Sequence, residues 1–62
     1  MNTIIKINSQ LSQEDVKNII SKADKLEGVI SVKIDVEKGL LRYEISEWAS
    51  DYDVMVAIMN IV

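Results

Sequence analysis

The chain contains no cysteine, no histidine and no proline, and only two glycines, in 62 residues. Each absence removes a class of protein. Without Cys there is no disulfide, and without Cys and His there is no ligand set for a structural zinc, so apolar burial has to hold the fold by itself. The same two absences take away the usual nucleophile and the usual general base, leaving carboxylates, Lys and Tyr to act alone. No glycine-rich phosphate loop is present either, so no enzyme activity is expected. With no proline and no Gly/Ser tract there is no linker, and residues 1–62 read as one domain. A domain this short buries only about 60% of the surface its unfolded chain exposes and leaves little volume for a substrate pocket. Long hydrophobic runs are missing as well. The longest, Val54 to Met59, falls far short of the roughly 20 residues of a membrane span. The start Met1-Asn2-Thr3-Ile4-Ile5-Lys6 lacks a basic region followed by an apolar stretch, so no membrane insertion and a cytoplasmic setting are expected.

The charge present is mixed. Seven Lys and Arg are interleaved with ten Asp and Glu, for a net charge of -3 and a pI near 4.7, which argues against binding a phosphate backbone. Nucleic acid is not an expected partner.

Hydrophobic spacing then divides the chain into elements. Ile4-Ile5-Lys6-Ile7 is β-branched and runs into polar Asn8-Ser9, which predicts a strand and a loop. From Val16 the apolar positions 16, 19, 20, 23 and 26 form one stripe of an α-helix, which Gly28 is expected to end in the left-handed conformation. Ile30, Val32, Ile34 and Val36 alternate with Ser31, Lys33 and Asp35, predicting a strand with the isoleucines and valines inward. Glu37-Lys38-Gly39 predicts a turn, and Leu41, Tyr43 and Ile45 alternate with Arg42 and Glu44 in an antiparallel return strand. On its outer face Lys33 or Asp35 is expected opposite Arg42 or Glu44. Ser50 opens a final segment through Val62, read as a helix with a strand as its competitor. The order β-α-β-β-α predicts an α+β, ferredoxin-like βαββα(β) sandwich. In it two helices lie on one face of an antiparallel sheet whose fourth strand is short or missing.

In this order the sequence resembles the heavy-metal-associated domain family, copper-chaperone-like modules with a Cys-x-x-Cys motif at the start of helix one. Gly28-Val29, Ser31 to Asp35 and Leu41 to Glu44 follow the family pattern. Val16 and Ile19 take its apolar helix positions, and Ser50 to Ile58 resembles its second helix. Counting back from Gly28 places Ser12 and Asp15 on the two cysteine positions and Gln10 on the family methionine, so the chain resembles a degenerate member without the thiolates. The resemblance implies a βαββαβ fold. The family's metal chemistry does not carry over, because a hydroxyl and a carboxylate are hard ligands and calcium needs about six to eight oxygens. Ser12-x-x-Asp15 has instead the form of a capping box, and Ser50-Asp51-Tyr52-Asp53 repeats it at the second helix.

Met55 and Met59, four apart, share a helix face and are two thioethers without a third soft ligand, so packing or contact is expected of them. No cofactor is expected, and a metal ion is an unfavoured partner. Trp48 is expected to close one end of the core, with an anchor for a partner as the alternative. If the final helix turns Val54, Ala57, Ile58 and Ile61 inward, then Met55, Val56, Met59 and Val62 lack a burial partner. A missing fourth strand would bare the first strand, with Ile4 on it and only Lys6 to guard it. A chain cut before that strand would leave the same edge. The expected function is thus a small interaction module that forms a homodimer or docks a protein partner through Ile4, Lys6, Met55, Val56, Met59 and Val62. The alternative is a divergent metal-binding or metal-transport protein using non-Cys ligands.

Overall fold

The computed structural model describes residues 1–7 and 10–62. Asn8-Ser9, expected as a polar loop, lie outside the described residues. The elements follow as β1 (Asn2–Lys6), α1 (Gln13–Ala23), β2 (Val29–Asp35), β3 (Leu40–Ile45) and α2 (Asp51–Ile61). The fold is α+β, with three antiparallel strands in the order β1-β3-β2 and two helices. It is compatible with a ferredoxin-like βαββα arrangement in which the fourth strand is missing among the described residues. β1 and β2 both pair antiparallel with β3 and therefore run parallel to each other, with α1 as their crossover.

β3 is central because it has a strand on each side, and its inward residues Leu41, Tyr43 and Ile45 are buried for that reason. They meet Ile19 and Ala23 of α1 and Val54 and Ile58 of α2 in one cluster, each large side chain contributing about 1.5–3 kcal/mol by its burial. Thr3 and Ile5 of β1 and Val32 and Ile34 of β2 lie opposite Tyr43 and Leu41 on the same face. α1 packs along β2 and α2 packs beside α1, so α2 lies on the β1 side of the sheet.

Local chemistry sets the helix starts. The Ser12 hydroxyl accepts the Asp15 N–H at 3.1 Å, and the Asp15 carboxylate accepts the Ser12 N–H at 3.3 Å, which completes the reciprocal box. At α2 the Ser50 hydroxyl accepts the Asp53 N–H at 3.3 Å. The competing strand reading of this last segment fails, because its apolar residues find a helical stripe in Val54 and Ile58 above the sheet.

Three expectations need correction. The first concerns the end of helix one, which stops at Ala23, well before Gly28. The chain then winds down through tight bonds, Leu26 N–H to the Ala23 carbonyl at 3.1 Å and Val29 N–H to the Leu26 carbonyl at 3.2 Å. Gly28 does have positive φ, +89°, but it serves the passage into β2.

The second concerns Ile30, expected inward and found 57% exposed. Val29 pairs with Ile45 and Ser31 with Glu44, so Ile30 is the extra residue of a β-bulge and Val29 takes the inward place.

The third is Trp48, which does not close the core and is 71% exposed. Its ring edge lies 3.6 Å from where a Cβ on Gly28 would be.

Gly39, at φ +64°, makes the turn between β2 and β3 as its position predicted.

Candidate functional site

β1 is an edge strand, and its hydrogen bonds show which of its groups are free to pair. Met1 and Ile45 exchange N–H to carbonyl bonds of 3.1 and 2.9 Å, and Ile7 N–H reaches the Gly39 carbonyl at 2.8 Å. Antiparallel pairing alternates, so the odd residues of β1 face β3 and the even ones, Asn2, Ile4 and Lys6, turn their N–H and C=O groups to the open edge. The side chains of these three lie on the outer face of the sheet, away from the helices. Ile4 is 53% exposed there.

The start of α2 meets the sheet between this strand and β3. Asp51 at its start accepts a hydrogen bond from the Thr3 hydroxyl of β1 at 2.7 Å, which ties the helix to the edge strand. Helical spacing puts Met55, Met59 and Val62 on the stripe that begins at Asp51, along the β1 side. Met59 is 62% exposed, and Val56 and Val62 are also exposed. Met55 was expected without a burial partner. It is half-buried and packs against the core. Of the six expected contact residues, Ile4 and Lys6 therefore lie on the edge strand, Met59 and Val62 on the helix side facing that edge, and Val56 on the crown of the helix. Met55 sits between that stripe and the core. Tyr52 adds an exposed ring at the start of the crown.

The outer face of the sheet carries charge of both signs, Lys6, Lys33 and Arg42 together with Asp35 and Glu44. Lys33 pairs with Arg42, so two like charges stand directly opposite, and Asp35 faces Leu40 while Glu44 faces Ser31. Arg42 also sits opposite Ile4, with Lys6 two residues on. Lys33, Lys38 and Arg42 line an open surface depression of about 560 Å³ together with Asp35, Glu37, Ile4 and Leu40.

The strongest polar feature is one that the residue pattern did not single out. The Asp51 carboxylate accepts the Tyr43 hydroxyl at 2.9 Å through the same oxygen that accepts Thr3. Three elements, β1, β3 and α2, meet at that atom. Burial, and after it the hydrogen bond to Asp51, raises the Tyr43 hydroxyl above its ordinary pKa of 10.0. The available signal was Tyr43 itself, since a tyrosine turned into a core needs a partner for its hydroxyl and Asp51 follows the Ser50 cap directly.

Ser12 and Asp15 are engaged with each other in the cap. Among the described residues no three Asp or Glu side chains converge as a metal site would require. No helix of the described residues is long and apolar enough to cross a membrane. No family model matches the chain, and no curated protein gives a significant match.

Proposed function

We propose that this chain is a small non-catalytic interaction module, shaped like a heavy-metal-associated domain but without its thiolate ligands. It docks a protein partner or a second copy through the β1 edge and the adjoining side of α2. The observation that carries this reading is the juxtaposition of two unsatisfied surfaces. Asn2, Ile4 and Lys6 turn their backbone groups to an edge that no other strand covers among the described residues, and the exposed side of α2 with Met59 and Val62 lies next to it. Open edges recruit strands, and contiguous apolar surface marks contact sites.

Size-exclusion chromatography with light scattering over a wide concentration range tests the self-association arm. Affinity capture with native protein and with a Met59→Glu variant tests the partner arm. A monomer at all concentrations whose captured proteins are the same with and without Met59→Glu would end the proposal. Titration of the same preparation with Cu(I), zinc and cadmium tests the metal-carrier alternative. Affinity tighter than about 1 mM, roughly -4 kcal/mol, would revive it.

A further inference from the structure

The docking reading leaves the occupant of the edge open, and the register of β1 narrows it. Two copies of one edge strand pair antiparallel about a two-fold axis normal to the sheet. The outward N–H and C=O groups of β1 belong to Asn2, Ile4 and Lys6. Only an axis through Ile4 brings all three into pairs with one another, Asn2 against the second copy's Lys6 and Ile4 against its own image. An axis at Lys6 would set two ammonium groups opposite each other, and one at Asn2 would leave Ile4 and Lys6 unpaired.

The register through Ile4 is also complementary in charge. On the outer face Glu44 stands beside Asn2, and Leu40 stands between Lys6 and Asp35. Pairing places Lys6 across the short Asn2 side chain of the second copy from that copy's Glu44. Their backbones are then two strand spacings apart, about 10 Å, which extended Lys and Glu side chains close between them. Asp35 of its own chain lies equally far on the other side, so Lys6 has an acid on each side. Arg42 and its image stand three spacings apart, about 14 Å, beyond the screening length of about 8 Å. The helices fit as well. Asp51 bonds both Thr3 and Tyr43, so the start of α2 lies about half a strand spacing in from β1. Across the axis the two starts are therefore about 10 Å apart, and packed helices stand about 8–10 Å apart. The side of α2 that carries Met59 and Val62 is the one turned toward the second copy.

We propose, building on the docking reading, that the β1 edge takes a second copy of this chain, antiparallel and centred on Ile4. The two sheets become one continuous sheet with both helix layers on the same face, and Lys6 of each copy pairs with Glu44 of the other. Ile4, 53% exposed in one chain, is covered by its own image. Within a chain Lys6 and Glu44 lie at opposite ends of the β1–β3 pairing, Lys6 facing Leu40 and Glu44 facing Asn2. An ion pair between them is thus a contact between copies.

Light scattering across a concentration series of the full chain gives the dimer constant, and amide hydrogen exchange locates the contact. The expected result is a dimer in which exchange at Asn2, Ile4 and Lys6 slows as concentration rises, while Thr3 and Ile5, already bonded to β3, change little. Lys6→Glu and Glu44→Lys, both on the outer face, should each weaken the dimer about tenfold. An equimolar mixture of the two variants should recover it, because each altered charge then meets its opposite on the other chain. Two variants folded by circular dichroism whose mixture stays as weak as either alone overturn the register. Ile4→Lys, at an exposed position, sets like charges at the axis and should abolish the dimer, and a dimer that survives it overturns the pairing. So does a dimer whose Asn2, Ile4 and Lys6 amides exchange as fast as in the monomer. A protein that stays monomeric up to about 1 mM overturns the second copy as occupant. Only if affinity capture is also insensitive to Met59→Glu does the docking reading fall with it.

Discussion

The hydroxyl of Tyr43 and the carboxylate of Asp51 lie 2.9 Å apart and join the central strand to the first turn of α2, with Thr3 completing the bridge to β1. Asp51→Ala removes a charged acceptor from two hydroxyls at once and should cost about 2 kcal/mol in urea unfolding. Tyr43→Phe removes one bond and should cost about 1 kcal/mol. In the double variant the costs should fall short of their sum, because both substitutions delete the same bond.

Alkaline pH should unfold the protein through the same residue. The raised Tyr43 pKa means the folded state holds its phenolic proton more tightly than the unfolded state does. Below the ordinary value of 10.0 both states are protonated and stability does not depend on this group. Above it the unfolded state ionises first and stability falls as pH rises toward the folded pKa. Melting curves across that range should show a loss that Tyr43→Phe reduces. An equal loss in both proteins would rule Tyr43 out as its source.

The two glycines should differ in their tolerance of a methyl group. A Cβ at Gly28 would lie 2.5 Å from the Ala49 Cβ, in addition to the strain of φ +89°. Gly39, at φ +64°, puts an alanine under backbone strain as well. Gly39→Ala should cost about 1–2 kcal/mol, and Gly28→Ala should cost more, because the loop carrying Trp48 and Ala49 has to move. Thermal melts of the two variants side by side give the order directly.

Ser12→Ala should lower stability by about 1 kcal/mol through loss of the helix cap. Self-association or partner capture should be unchanged, since Ser12 bonds within the start of α1. A change in affinity for any metal on this substitution would show that the Ser12-Asp15 pair does more than cap.

What was legible in the residues followed from interactions reaching three or four positions along the chain. The Ser12 cap, the stripe of α1, the alternation of Leu41, Tyr43 and Ile45, and the turn at Gly39 all depend on near neighbours, and the structure has each of them. The exposure of Ile4, Met59 and Val62 was readable for the same reason, as a surplus of apolar positions over the faces available to bury them.

The rest depends on which element lies beside which, and spacing along the chain does not carry that. Ile30 has a sound inward pattern, yet Val29 displaces it because the register against Ile45 requires a bulge. Trp48 turns outward because the loop closes over Gly28, 20 residues earlier, and leaves its ring no interior to enter. Asp51 becomes the meeting point of three elements only when β1, β3 and α2 are assembled. The sequence by itself determined the elements and their caps, because those are local hydrogen-bonding and packing choices. Only the tertiary structure decided that Asn2, Ile4 and Lys6 face an open edge beside α2, because the direction of a backbone group is set by the strand on its other side.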